Sequence, residues 1–134
     1  MNVGVPRIDH EHRVFLDLLS KLSEEQQHSD NREYVLDLLR ELELYAQFHF
    51  CSEENIMKKA EYPDLEAHAN EHTMLLGKLR TRIREYQTRT IALGDIVSFL
   101  FEWFSFHTSK MDQALASYLQ SERAEIASQL SIAP

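Results

Sequence analysis

The chain has 134 residues, a length typical of one domain, and 43% of them are hydrophobic, enough to form a core. Only three glycines and three prolines are present, which disfavours a β-rich or disordered chain and favours long helices. The formal charge is −8, and an acidic surface repels phosphate backbones and anionic lipid. Nucleic acid and membrane surfaces are therefore not expected as partners.

The cysteine content and the hydropathy pattern bear on location. One cysteine, Cys51, excludes an internal disulfide and fits a reducing cytosol. Residues 1–7 hold no apolar run of the signal-peptide kind. The most apolar stretch, residues 96–106, is too short to cross a bilayer and is interrupted by Glu102. A cytoplasmic location is the expectation that follows.

Hydrophobic residues recur at three- and four-residue spacing in four segments, and this spacing predicts four amphipathic helices. The first helix is expected over residues 9–27, with Asp9 as its N-cap. A polar break at residues 28–31 separates it from the second helix, expected over residues 32–60. The second helix ends before Pro63, since proline disfavours helical geometry in the residue that precedes it.

The second half of the chain repeats this pattern. The third helix is expected over residues 65–86 and the fourth over residues 91–119, and the residues after Gln120 are expected to form a short extra helix or a frayed tail. Four helices with short connections favour an all-α, antiparallel up-and-down four-helix bundle with a short C-terminal extension. Residues 1–134 would then form a single domain.

Each predicted helix carries titratable residues inside its hydrophobic stripe. Burying such groups without partners is costly, so buried charges are normally paired or bound to metal. His49 and Glu53 are four residues apart, and so are His68 and His72. This spacing places both side chains of a pair on one face of a helix, one turn apart. The residues are His12, His49, Glu53, His68, His72, His107 and Asp112.

The pair His107 and Asp112 is spaced differently, because five residues in a regular helix separate two side chains by roughly 140°. A π-type bulge is one way to bring both to one site. A lone histidine on an apolar face is more often a hydrogen-bonded core residue than a ligand, but this explains poorly why all four helices carry such residues. The pattern therefore favours a metal centre, and seven ligands are too many for one zinc ion.

Four motifs that contain these residues resemble the hemerythrin family, especially its bacterial members. Residues 8–12, IDHEH, are similar to the family's I-D-x-Q-H, and residues 49–54, HFCSEE, to its H-F-x-x-E-E. The third motif is Y-P at residues 62–63 followed by H-x-x-x-H at residues 68–72. The fourth is W-x-x-x-H-x-x-x-x-D at residues 103–112. Each motif is weak alone, but all four in order make a specific signal.

The resemblance implies one hemerythrin-like domain with a non-haem di-iron site that binds O2. The site would contain two iron ions, Fe2+ or Fe3+, with a bridging oxo or hydroxo group. Glu53 and Asp112 would bridge the irons. One iron would be saturated by His68, His72 and His107, and the other, with an open position for O2, would be bound by His12 and His49.

The O2 pocket departs from the family pattern. Aliphatic residues are usual where Phe15, Phe104 and Thr108 stand, and Thr108 adds a hydroxyl next to His107. A polar group or loose packing admits water and protons, which promote loss of bound O2 as peroxide. We therefore expect a site that oxidises readily to the diferric form. By family position, the pocket residues are Phe15, Phe50, Trp103, Phe104 and Thr108.

The sequence leaves the role of O2 binding open. An oxygen- or redox-sensing domain, signalling to an attached output domain, is favoured by the pocket and by the chain's end at Pro134. A free-standing O2 carrier or store is the alternative, which the length suits. A peroxide- or NO-reacting enzyme is less favoured, since donors dominated by neutral imidazoles should favour ferric iron less strongly, and no catalytic residue is assigned.

Three residues with metal-binding chemistry fall outside the pattern. His10 points away from His12 and is expected at the surface or near the ligands without binding metal. His28 is expected in a loop. Cys51 lies about 200° around the second helix from His49, and we expect it to be a packing residue.

Overall fold

A computed structural model describes residues 2–28 and 31–132 of the chain. Within these residues the fold is all-helical, as the sequence predicts, with one π-helical turn between the last two α-helices. Of the expected break between the first two helices, Ser29 and Asp30 lie outside the described residues. The elements are α1 (Pro6–His28), α2 (Arg32–Lys59), α3 (Leu65–Gln87), α4 (Leu93–His107), the π turn (Thr108–Asp112) and α5 (Gln113–Ile132).

The helices pack as a four-helix bundle, and this prediction is confirmed. α1 lies against α2 and α4, and α3 lies against α2 and α4, so each helix packs against its neighbours in sequence. α4, the π turn and α5 follow one another without a break and together form the fourth leg. No helix among the described residues is both apolar enough and long enough to cross a bilayer.

The apolar interior is divided into two clusters by a polar layer. The larger cluster joins all four legs and includes the fully buried Leu19, Leu39 and Leu100. The smaller cluster lies towards the opposite end of the bundle and includes Ile8 and Met57. The titratable residues singled out in the sequence fall between the two clusters along each helix. The core is thus built around a polar centre.

The N-terminus of α1 differs from the prediction. The helix begins at Pro6, a residue favoured in the first turn because the missing N–H would have no helical partner there. Asp9 is therefore not the N-cap but lies inside the first turn, and the prediction was wrong. The Asp9 carboxylate accepts hydrogen bonds from the backbone N–H groups of Val3 (2.7 Å) and Gly4 (3.1 Å), which fixes the segment before the helix.

The fourth leg also differs from its prediction. Its first α-helix begins at Leu93, two residues later than expected, and the leg contains the π turn between His107 and Gln113. α5 continues to Ile132, so the residues after Gln120 extend the same helix. His28 is likewise the last residue of α1 and not part of a loop.

Candidate metal centre

The titratable residues that interrupt the hydrophobic stripes meet in the interior of the bundle. α1 contributes one of them, α2 and α3 two each, α4 one and the π turn one. None is more than 5% exposed to solvent. The residues are His12, His49, Glu53, His68, His72, His107 and Asp112.

One set of donors consists of three imidazoles and a carboxylate. One ligand atom from each of Glu53, His68, His72 and His107 lies within 4.8 Å of all the others. The Nε2 atom of His107 lies 3.3 Å from that of His68 and 3.2 Å from that of His72. Ring nitrogens that converge in this way cannot all be satisfied by one another, since each Nε2 either donates or accepts. A cation placed among them satisfies every lone pair.

A second set has two imidazoles and shares a carboxylate with the first. His12, His49, Glu53 and Asp112 again place one ligand atom each within 4.8 Å of the others. The Oδ2 atom of Asp112 lies 2.9 Å from Nε2 of His12, and its Oδ1 lies 3.1 Å from Nε2 of His107. Each oxygen of Asp112 therefore faces a different set.

Glu53 is divided between the sets in the same way. Its Oε1 lies 3.2 Å from Nε2 of His72, and its Oε2 lies 3.3 Å from Nε2 of His49. Both carboxylates are thus placed to join two cation positions.

The buried oxygens of these carboxylates test whether metal ions fit. Glu53 and Asp112 are 0% exposed, yet neither oxygen of Glu53, nor Oδ2 of Asp112, accepts a well-aligned hydrogen bond from any described residue. Buried polar atoms are nearly always hydrogen-bonded, and buried charges are paired or coordinate metals. Imidazole and carboxylate donors suit iron among the first-row metals. The residues therefore fit a pair of such ions.

The π turn explains how two residues five apart reach one centre. In a regular α-helix, Asp112 would lie roughly 140° around the axis from His107. The turn Thr108–Asp112 widens the helix by the equivalent of one residue and brings both side chains to the interior. The five-residue spacing predicted such a bulge as one way to bring both residues to the same site, and the structure contains it.

Charge couples the imidazoles to the carboxylates in the metal-free protein. Burial alone would lower the pKa of His49, but its interactions with Glu11 and Glu53 raise this pKa to about 9. Burial likewise opposes the charged form of His68, whose interactions with Asp112 and Glu53 raise its pKa to about 9. Burial acts to raise the pKa of Glu53, yet the facing imidazoles hold it well below its ordinary range.

Two further carboxylates hold the outer nitrogens of the imidazoles. The Nδ1–H of His49 donates to Oε1 of Glu11 at 2.8 Å, and the hydroxyl of Ser52 donates to Oε2 of Glu11 at 2.9 Å. The Nδ1–H of His72 donates to Oε2 of Glu54 at 2.9 Å. Such partners orient an imidazole and make it a stronger donor.

Glu11 was missed at the level of sequence, although a signal for it was present. Ile8, His12 and Phe15 share a buried face of α1, and Glu11 occupies a position on the same face. Like the candidate ligands, Glu11 is a titratable residue within the hydrophobic stripe of its helix.

A small cavity adjoins the two-histidine set. The centre of a water-sized molecule can occupy about 10 Å³ of this cavity, so the cavity has room for roughly one such molecule. The five residues expected in the O2 pocket all line it, together with Ala46 and candidate ligands such as His12. The expected pocket residues are Phe15, Phe50, Trp103, Phe104 and Thr108.

The residues expected outside the centre are placed as follows. His10 is exposed on α1 and takes no part in either donor set. Cys51 is exposed on α2, so the expectation of a packing role was wrong. Its position on α2 faces away from the interior that His49 enters.

Comparison with known proteins identifies the family. The family model described as the hemerythrin HHE cation binding domain matches residues 3–130. The chain belongs to the hemerythrin family. It is 30% identical over 131 residues to a bacteriohemerythrin of Stenotrophomonas maltophilia, an alignment covering 95% of this chain and 82% of that protein. A bacteriohemerythrin of Clostridium acetobutylicum is 27% identical over 116 residues, with 83% and 90% covered.

Solved structures agree with this assignment. A crystal structure of wild-type hemerythrin superposes with a TM-score of 0.78 at 28% sequence identity, covering 86% of this chain and 88% of that one. Hemerythrins are non-haem di-iron proteins that bind O2, and this hemerythrin has a cluster of histidines and carboxylates able to hold metal.

The raised and lowered pKa values predict how the folding stability of the metal-free protein depends on pH. The pKa values of His49 and His68 rise from 6.5 to about 9 on folding, so their stabilisation is complete below pH 6.5 and is lost as the pH rises through 9. Glu53 has a lowered pKa, so its contribution is present above 4.5 and is lost as the pH falls through its lower folded value. We expect maximal stability between these limits.

Calorimetry of chelator-treated protein measures this dependence. The Tm should fall by several degrees between pH 6.5 and pH 9, where both histidines lose their protons. The metal-loaded protein is the control, because metal binding has already displaced those protons and should flatten the curve over the same range. A Tm of the metal-free protein that stays constant or rises over this range would contradict the coupling of these histidines to the carboxylates.

Proposed function

We propose that this hemerythrin holds two iron ions through the seven converging residues and binds O2 at the ion with fewer protein ligands. His68, His72 and His107 would bind one iron, and His12 and His49 the other. Glu53 and Asp112 would bridge them. An oxo or hydroxo group would complete the bridge. The bound iron pair would supply the electrons and the open coordination position through which O2 is held.

The division of the two carboxylates carries this proposal. Asp112 faces His12 with one oxygen and His107 with the other, and Glu53 likewise faces His49 and His72 with separate oxygens. A single metal ion would need only one oxygen from each carboxylate. The arrangement is what two ions that share both carboxylates require.

The surrounding side chains control what reaches the centre. Phe15 stacks on Phe104 with ring centroids 5.2 Å apart, and Phe104 also packs edge-on against His12. Such apolar walls keep bulk water and protons away from the two-histidine set. Two polar groups interrupt this wall, because the buried hydroxyl of Thr108 and the indole N–H of Trp103 have no hydrogen-bond partner among the described residues. An unpaired hydroxyl in this wall can hold a water molecule beside the site.

An oxygen- or redox-sensing role is the specific function that we favour. Asp112 ends the π turn, and α5 begins at the next residue. Leu115 and Ala116, just after it, are 0% exposed and pack in the smaller core cluster. A change in the position of Asp112 on oxidation or O2 binding would therefore move α5 against that cluster. In this role α5 would pass the signal to an attached output domain.

A free-standing O2 carrier is the alternative. The similarity to a bacteriohemerythrin over 95% of this chain supports it, since 82% of that relative is covered. Both roles need the same metal centre. They differ in how long O2 stays bound and in whether α5 responds.

Metal analysis tests the di-iron proposal. We expect two irons per chain in protein reconstituted with ferrous iron under argon, and oxo-bridged absorption bands after exposure to air. Asp112→Asn should reduce the iron content, because the variant loses a negative oxygen that faces the two-histidine set. His10→Ala, which removes an exposed histidine from α1, is the matched control and should retain two irons. One metal per chain in the unaltered protein would contradict the proposal.

The Thr108 hydroxyl should accelerate autoxidation. Thr108→Val replaces it with a methyl group of similar shape, so the pocket becomes drier and the oxygenated form should decay several-fold more slowly. Stopped-flow spectra after mixing reduced protein with O2 measure the decay. Thr81→Val, at an exposed position of α3, is the control and should leave the rate unchanged. Equal decay rates for Thr108→Val and the unaltered protein would remove the hydroxyl from the explanation.

Hydrogen exchange distinguishes the sensor from the carrier. Backbone amides of residues 113–125 should exchange at different rates in dithionite-reduced and air-oxidised protein, because α5 follows Asp112 directly. Residues 36–44 of α2, whose Leu38, Leu39 and Leu42 lie in the larger core cluster, are the internal reference. Unchanged exchange in α5 would favour the carrier.

A further inference from the structure

We infer that Glu11 is a positioning residue of the metal centre, which sets both the orientation of His49 and the ease with which the nearer iron is oxidised. This inference rests on the proposed di-iron function. It concerns a residue that touches neither iron. Its action would pass entirely through the imidazole of His49.

Hydrogen bonds from α2 hold Glu11 in place. Its side chain is 5% exposed and lies between α1 and α2. Oε1 accepts the Nδ1–H of His49 at 2.8 Å, and Oε2 accepts the hydroxyl of Ser52 at 2.9 Å. The backbone carbonyl of the same residue accepts the hydroxyl of Tyr45 at 3.1 Å. Glu11 is therefore held on α2 at three points and has little freedom to turn away.

The contact with Glu11 determines the tautomer of His49. A carboxylate can only accept hydrogen bonds, so the proton of the imidazole must be on Nδ1. When the ring gives up its second proton to bind metal, the lone pair is on Nε2, which lies 3.3 Å from Oε2 of Glu53. A metal ion needs that lone pair. Glu11 thus presents the donor atom of His49 in the form that binds metal.

The two donor sets differ in how deeply the carboxylates behind their imidazoles are buried. The three-histidine set has a corresponding link from His72 to Glu54, but the side chain of Glu54 is 26% exposed. Solvent screens a charge there more strongly than it screens Glu11, which is 5% exposed. The exposed Arg7 guanidinium, with Nε 3.5 Å from Oε2 of Glu11, offsets part of this charge. The set with only two imidazoles, next to the cavity, nevertheless has the better-buried carboxylate behind it.

The charge of Glu11 should affect the oxidation of the nearer iron. A negative charge hydrogen-bonded to an imidazole makes the ring a stronger donor, and a stronger donor favours the more highly charged ion. Ferric iron should therefore be favoured at the two-histidine position more than neutral imidazoles alone would favour it.

The experiment separates the charge from the hydrogen bond with two variants. Glu11→Gln keeps the carbonyl oxygen that accepts from His49 and removes the charge, and Glu11→Ala removes both. Redox titration of the iron-loaded protein measures the midpoint potential, and titration with Co2+, followed by its optical spectrum, measures metal affinity without iron oxidation. Glu54→Gln is the matched control at the other link, and Glu66→Gln, exposed on α3, controls for net charge.

The expected results form a pattern that a merely structural role would not produce. Glu11→Gln should raise the midpoint potential and slow autoxidation several-fold, while Co2+ affinity changes little. Glu11→Ala should lower Co2+ affinity by about 10- to 100-fold, the range typical of lost partners behind a metal ligand. Glu54→Gln should shift the potential less than Glu11→Gln does, and Glu66→Gln should not shift it.

The opposite results would overturn the inference in distinct ways. If Glu11→Gln leaves the potential unchanged, the charge of Glu11 does not tune the iron. If Glu11→Ala also binds Co2+ as tightly as the unaltered protein, Glu11 does not position His49. If instead the unaltered protein binds only one metal ion, the di-iron proposal itself fails, and this inference fails with it.

Discussion

Two ionised carboxylates buried at the centre of a helical bundle are the constraint on which this structure depends. Glu53 and Asp112 are 0% exposed, and several oxygens of the pair accept no aligned hydrogen bond from the described residues. Moving such charges from water is unfavourable unless cations compensate for them. The imidazoles on all four legs face them, either protonated or around metal ions. The legs must therefore keep one mutual register, because sliding any of them would leave a carboxylate uncompensated.

Keeping that register requires the π turn, a local departure from α-helical hydrogen bonding. Satisfying Asp112 requires a wider turn, Thr108–Asp112, although the α-helical hydrogen-bond pattern is preferred on both sides of it. The extra residue also sets which face of α5 is buried, so Leu115 and Ala116 reach the smaller core cluster only because the turn is present. Metal binding, backbone irregularity and the packing of the last helix are thus one arrangement. This coupling makes α5 the natural place to look for a response.

Sequence periodicity was sufficient for features that each helix determines by itself. The i, i+4 spacing of His49 and Glu53 places both on one face wherever the helix packs. The features that it missed depend on contacts between distant segments. The start of α1 depends on Asp9 binding the backbone of Val3, and the role of Glu11 depends on an imidazole 38 residues away. Neither partner can be read from local spacing.

The sequence also provided an incomplete count of the charged groups around the candidate metal centre. Counting only the seven candidate ligands gives five neutral imidazoles and two carboxylates, a set expected to favour ferric iron weakly. Glu11 and Glu54, which accept from His49 and His72, add negative charge just behind the imidazoles. The two donor sets then differ in two ways. One has more imidazoles, and the other has the better-buried carboxylate behind an imidazole. The chemistry of the pair follows from this balance and from more than the ligands alone.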